Sequence, residues 1–376
     1  MTTLRRRILW SVLAVLALAV VALAWLLSHE TACGPAPSIT PGAVTMKAVV
    51  RRCYGPPEVL ALEDVEKPVP ADDQVLVKVH AASINPLDWH YMRATPYLMR
   101  MDSGFGAPAN PRLGVDFAGV VEAVGKDVTR FEPGDEVFGG KFGALAEYVA
   151  VGEDGSLARM PQNLGFEQAA AVNIAAVTAL QALRDRAGLK AGETVLINGA
   201  SGGVGTFAVQ IAKSLGAEVT GVCSTRNVAL VRSLGADHVI DYTREDFTQG
   251  TVQYDVVMDN VANRGVLEVR RVLKPAGKYV VIGGGGPDAN PWVGPFVTPF
   301  KAMAVSWFVE QDMGMFVSHG SGEDLAALAG LMEEGRVRPV IDRTYPLAEI
   351  VEAMRYLETG RARGKVVVRL GDAKSD

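Results

Sequence analysis

The chain has 376 residues, enough for two domains of ordinary size and an appendage. Hydrophobic residues make up 49% and charged ones 21%, which excludes a disordered chain, and a net charge of −5 argues against nucleic-acid binding through a basic face. Cys33, Cys53 and Cys223 are scattered, which reads as neither a disulfide framework nor a zinc-ligand set.

Arg5-Arg6-Arg7 precede Ile8–Leu27, twenty residues without a charge, with Trp10 and Trp25 near the ends. Twenty helical residues span about 30 Å, the thickness of a bilayer core. A cleaved signal peptide has a shorter apolar region and small residues before its cut site, and Glu30 and Ala32 before Cys33 fit neither peptidase cleavage nor a lipobox. The expectation is an uncleaved single-pass anchor, with Ser28–Thr45 and its prolines as a flexible tether. The positive-inside rule sends the remainder outside, against the cytoplasmic pool of the cofactor argued below. A start at Met46 would remove the conflict, so the side of the membrane stays open.

From Met46 to about Leu164 the pattern is short strands punctuated by Gly and Pro, as in Val75–Ala81 and Phe117–Val124, and predicts a small β-barrel-like domain. From Glu167 to about Gly286 strands alternate with helices. A helix is expected over Ala169–Ala187 and strands over Thr194–Ile197, Val219–Val222, Asp255–Met258 and Tyr279–Ile282, the pattern of a doubly wound parallel sheet. A helix Leu347–Leu357 and a strand Lys365–Leu370 close the chain back on the first domain.

The strand Thr194–Asn198 breaks into Gly199-Ala200-Ser201-Gly202-Gly203-Val204-Gly205 and resumes as a helix. Strand, glycine turn, helix aims free backbone N–H groups and a positive helix end at a phosphate. At the end of the next strand, where NAD-selective sites carry an acid on the ribose hydroxyl, the chain has Ser224, Thr225, Arg226 and Asn227. A hydroxyl and a guanidinium bind a 2′-phosphate that an acid would repel, which favours NADPH. Gly283-Gly284-Gly285-Gly286 puts bare backbone where the nicotinamide end would lie.

Residues 46–371 resemble the zinc-independent quinone oxidoreductase (zeta-crystallin-like) branch of the medium-chain dehydrogenase/reductase superfamily. The motifs are SINPLDW (Ser83–Trp89), LGVDFAGVVEAVG (Leu113–Gly125), GDEVFG (Gly134–Gly139), VTALQAL (Val177–Leu183), NGASGGVGTFAVQIAK (Asn198–Lys213), LVRSLGADHVIDY (Leu230–Tyr242) and GRARGKVVV (Gly360–Val368). The resemblance implies an α/β fold in which a Rossmann sheet is inserted in a GroES-like β-barrel catalytic domain. With the transmembrane helix this gives anchor and tether at 1–45, the catalytic domain at 46–165, the NADP-binding domain at 166–314 and the closing catalytic part at 315–371. Zinc-dependent relatives carry Cys and His-Glu where this chain has Ser83-Ile84-Asn85 and Gly114-Val115-Asp116, so no metal is expected.

Asn85, Pro86 and Asp88 read as N-cap, N1 and N3 of a helix, and the resemblance implies that Asn85 also faces the nicotinamide. Asp88 and Tyr91 complete the candidate catalytic set. Tyr91 and His90 lie just downstream and could donate a proton to a reduced oxygen, but with no partner legible for either the favoured reading is ordinary helix residues. The resemblance places Thr178 near the carboxamide and Tyr242 near the adenosine phosphate. Several relatives have Lys at the place of Asn227, a role assigned here to Arg226. Lys365, in the closing Gly-Lys-Val, has two readings, at the cleft or solvated, and the solvated one is expected. The expected activity is NADPH-dependent reduction of a quinone or enone, with a membrane-tethered redox sensor or scaffold as the alternative. The expected partners are that small molecule, the membrane through Ile8–Leu27 and a second copy of the chain, with no nucleic acid.

Overall fold

The computed structural model describes residues 3–370, so residue 371 of the expected closing segment lies outside the described residues. Helix Thr3–Ser28 precedes the body, and Leu27 near its end is buried. Within it Trp10–Ser28 is long and apolar enough to cross a membrane and is almost wholly unburied.

Strands β1 (Thr45–Arg51) and β2 (Leu60–Glu66) form an antiparallel pair. Five more, β3 (Gln74–Ile84), β4 (Asp116–Val124), β5 (Glu136–Gly140), β6 (Tyr148–Gly152) and β7 (Ser156–Arg159), build the first part of the catalytic domain. β3 is its spine. Val75, Val77 and Val79 alternate into a core with Phe117, Val121 and Val137, as a half-buried sheet requires.

Six parallel strands follow: β8 (Thr194–Asn198), β9 (Glu218–Cys223), β10 (His238–Asp241), β11 (Tyr254–Asp259), β12 (Leu273–Val281) and β13 (Asp312–Met315). Their order is β10-β9-β8-β11-β12-β13, so the first crossovers run outward on one side and the later ones on the other. This is the doubly wound topology whose switch point lies at the C-terminal end of β8. Helix Gly203–Ser214 seals that strand by burying Phe207, Ala208, Ile211 and Ala212. β13 belongs to this sheet although its Met- and Gly-containing sequence gave no strand pattern.

The chain then returns through β14 (Ile341–Pro346), helix Ile350–Glu358 and β15 (Lys365–Arg369) to the first domain. β15 pairs antiparallel with β3, Val366 opposite Ile84 and Val367 opposite Ser83. β3 in turn sets Ser83 opposite Asp116 of β4. Those two registers bring residues from three distant parts of the chain to one point.

Three expectations are corrected. The helix expected over Ala169–Ala187 is two, Phe166–Ala170 and Asn173–Gln181, ending in a wider turn at Ala182–Arg186. The break at Ala171–Val172 delivers Asn173 to Asp116. Cys33 and Cys53 form a disulfide that their spacing did not register, because the tether folds back onto β1's end. Ser28–Thr45 is therefore not free along its length: Thr31 N–H donates to Gly106 O at 3.1 Å, and Arg100 donates to His29 O at 2.9 Å.

Candidate active site

Asp116 is the hub of a buried polar cluster. Its Oδ2 accepts from Ser83 Oγ (2.9 Å), Asn85 Nδ2 (2.9 Å) and Lys365 Nζ (3.1 Å). Its Oδ1 accepts from Asn173 Nδ2 and from the Ile174 N–H, both at 3.0 Å, and so caps the helix that Asn173 begins. Lys365 Nζ also donates to Asn85 Oδ1. Lys365 is only 3% exposed, which corrects the expectation of a solvated lysine. A buried ammonium needs paired acceptors, and the β3–β15 register supplies them.

Asn85 stands at the N-cap position of helix Pro86–Arg93, but its side chain is committed to Asp116 and Lys365. The cap comes from Asp88, whose Oδ2 accepts the Asn85 N–H at 2.7 Å. Asp88 Oδ1 takes the Gly114 N–H at 3.1 Å. Burial pushes Asp88 up to about 7; Asp116 adds to that rise, while the two N–H groups and Lys365 oppose it. The Lys365 ammonium is thus bonded to one carboxyl, Asp116, and acts on the other, Asp88, only through its charge.

The closing segment also seals the glycine loop. Gly364 N–H donates to Ser201 O at 2.9 Å, and Gly202 bridges Gly364. Lys365 lies against Gly203, where an added Cβ would sit 3.3 Å from its Cδ. Gly205 is obligatory for the turn, since a Cβ there would be 2.1 Å from Gly199 O. The first-turn N–H groups of Gly203, Val204 and Gly205 have no intrahelical acceptor.

At the end of β9, Asn227 Nδ2 donates to Ser201 Oγ (2.9 Å) and Ser224 Oγ (3.3 Å), tying the second strand to the loop. Its Oδ1 is buried without a partner. Arg226 is exposed and donates to Arg361 O at 2.7 Å, which sets Arg361 beside it. Tyr242 is half-exposed next to Cys223, its N–H on Cys223 O. At the other end, Gly283 and Gly284 pack on Asn260 and Ala262, and Asn260 Oδ1 is likewise buried and unpartnered. Orphaned buried acceptors at both ends, with glycine backbone between, fit an extended dinucleotide.

Thr178 is buried and shares a hydrogen bond with Ser318 at 2.8 Å. Tyr91 is placed apart from the hub: its hydroxyl donates to Asp102 at 3.1 Å, and burial with that carboxylate raises its pKa. His90 Nδ1 meets Thr95 O at 2.5 Å, and burial lowers its pKa. Asn173, Lys365 and Arg361 are the members that sequence reasoning missed or undervalued. Only the GRARGK run hinted at the last two. Among the described residues no three His, Cys, Asp or Glu side chains converge as a metal site.

Residues 71–162 match the alcohol dehydrogenase GroES-like domain family, and residues 234–368 match the family described as zinc-binding dehydrogenase. The chain is 39% identical over 340 residues to a 2-methylene-furan-3-one reductase of Solanum lycopersicum, covering 86% of this chain and 79% of that one. It is 35% identical over 346 residues to the quinone oxidoreductase of Sus scrofa, covering 88% and 99%. The chain belongs to the medium-chain dehydrogenase/reductase superfamily, in its quinone oxidoreductase branch. The solved quinone oxidoreductase of Coxiella burnetii superposes with a TM-score of 0.77 at 32% identity, over 87% of this chain and 100% of that one. An NADPH-dependent alkenal/one oxidoreductase of Arabidopsis thaliana is 36% identical over 345 residues, covering 86% and 79%. This member is accordingly an oxidoreductase built as a GroES-like domain around a Rossmann sheet.

Proposed function

We propose that the protein is an NADPH-dependent reductase that transfers hydride to a quinone or an α,β-unsaturated carbonyl without zinc. The observation that carries this is the Lys365 ammonium held between Asn85 and Asp116 against the glycine loop. A fixed cation already occupies the place where a Lewis acid would act. Bound NADPH supplies the hydride. Loop residues Ala200–Gly205 bind the pyrophosphate through backbone N–H groups, and Ser224, Arg226, Asn227 and Tyr242 hold the adenosine 2′-phosphate end, with Arg361 adding charge. Thr178, Gly283 and Gly284 border the nicotinamide. Asn85 gives one amide hydrogen to Asp116 and keeps the other for the substrate oxygen, where Lys365 stabilises the developing negative charge. The proton that completes the reduction comes from solvent; Tyr91, whose hydroxyl is engaged by Asp102 apart from the hub, takes no part in that step. The helix Trp10–Ser28 anchors the chain in a membrane.

Oxidation of NADPH and of NADH, followed against quinones, enones and simple aldehydes with and without chelator, tests the reading. NADPH-selective, chelator-resistant turnover of quinones or enones is expected. Activity that a chelator abolishes would overturn it. The Cys33–Cys53 disulfide favours a second reading, because disulfides persist on the oxidising side of membranes and the Arg5–Arg7 flank puts the body there too. A tethered sensor or scaffold suits a compartment poor in dinucleotide, and tight NADPH binding without turnover would decide for it.

A further inference from the structure

The segment Tyr97–Ser103 is helical, a short tight turn running into Arg100–Ser103, and its polarity is inverted. Arg100 is 0% exposed and Ser103 7%, whereas Leu98 is 49% exposed and Met101 67%; Phe105, just past the turn, is 49% exposed. A surface helix in water turns its apolar stripe inward and its charges outward. This one buries its guanidinium and presents Leu98, Met101 and Phe105, with Asp102 the one exposed charge among residues 97–105.

The buried side explains itself. Arg100 lies between the rings of Tyr97 (4.5 Å) and Tyr54 (5.0 Å). It donates to Ala94 O at 3.3 Å, to His29 O at 2.9 Å and to Glu30 Oε1 at 2.6 Å. Two of those three acceptors belong to the chain that leaves the apolar helix. The Thr31–Gly106 hydrogen bond and the Cys33–Cys53 disulfide fix the same joint on either side. Leu98, Met101 and Phe105 therefore sit at the foot of Trp10–Ser28, and Trp25 stacks on His29 at that level. Tyr97 carries the surface onward, edge-on to half-exposed Trp292 at 5.0 Å. Behind this rim lies a small crevice between Trp89, Thr95 and Pro96 on one side and Ala289, Asn290 and Pro295 on the other.

We propose that Leu98, Met101, Phe105 and Trp292 form a rim that contacts the bilayer surface, held there by the Arg100 joint, and that substrate enters from the lipid. The occupant is lipid because the patch continues the face of a helix that is apolar all round and almost wholly unburied. The substrate class follows: a quinone or enone with a long apolar tail, a step that rests on the reductase reading above.

The test uses the full chain in phospholipid vesicles, with an environment-sensitive fluorophore on Met101→Cys, on Phe105→Cys and on Val252→Cys before β11, an exposed site outside the rim. Spin-labelled lipid is expected to quench the first two several-fold and the third not at all. Equal quenching at all three sites, or excimers between two copies without lipid quenching, would overturn the rim. In the same vesicles Met101→Ser with Phe105→Ser should raise the KM for a long-tailed quinone at least about fivefold and leave that for a short, water-soluble quinone unchanged. An equal effect on both would overturn entry from lipid. If no acceptor is turned over by any form, the reductase reading and the substrate class fall together, and lipid quenching still decides the rim.

Discussion

Lys365 is buried and paired with Asp116, so removing its charge strands that carboxylate. Lys365→Met should cost about 3–5 kcal/mol of stability, the penalty of breaking a buried pair from one side. Asp116→Asn in the same chain should recover part of that loss, and urea midpoints of the two variants would show it. A recovery of zero would mean that Asp116 is held by its other four donors alone. Arg226 acts differently, since it is exposed and makes one backbone contact. Arg226→Ala should weaken NADPH binding by roughly 1.5–3 kcal/mol, a tenfold or larger rise in KM, and leave NADH unchanged. Asn85 and Asp88 were legible because their spacing is a helix start, and Ser224–Asn227 because they follow a strand. Lys365 was not, because its partners lie 249 and 280 residues away and only the pairing of β15 with β3 joins them.

At the scale of elements the helix Pro86–Arg93 carries the pH dependence. Asp88 has its folded value raised to about 7 against an ordinary value of 3.8, so the folded state holds its proton more tightly than the unfolded one. That contribution to stability is complete below about pH 4 and is lost as pH rises through about 7. Relative to Asp88→Asn, the wild type should lose stability by up to about 1.4 kcal/mol per pH unit across that window. Denaturant titrations of both proteins from pH 4 to 8 measure the difference, and parallel curves would show that Asp88 is ionised throughout. Strands β8, β9, β11 and β12 and helix Gly203–Ser214 were readable from apolar runs and a glycine turn, whereas the short β10 was not. The break before Asn173 was not, because an alanine-rich run reads as one helix until Asp116 arrives to cap its second half. The glycine turn also makes a steric prediction: Gly205→Ala drives a Cβ into Gly199 O and should cost about 1–3 kcal/mol with loss of cofactor binding.

The whole molecule is joined at the stalk. An enzyme body starting at Met46 was a reasonable expectation from a sequence that reads like a fresh start there. The structure gives residues 29–33 a share in that body, through the disulfide and through Arg100. Arg100 is fully buried, yet Glu30, its ion-pair partner, is half-exposed and lies outside any chain begun at Met46. Removing residues 1–45 takes away the Cys33–Cys53 disulfide together with the His29 and Glu30 acceptors, and leaves the guanidinium with Ala94 O and two aromatic rings, one charge short of neutral. The truncated protein should therefore be less stable than the full chain in detergent by about 3–5 kcal/mol, and Arg100→Met should restore much of the loss in the truncated form while destabilising the full-length one. Opposite signs for one substitution in two backgrounds separate a missing counter-charge from a general loss of packing. If Arg100→Met destabilises both forms alike, the cation–π sandwich with Tyr54 and Tyr97 holds Arg100 by itself, and the stalk is an attachment with no part in the fold.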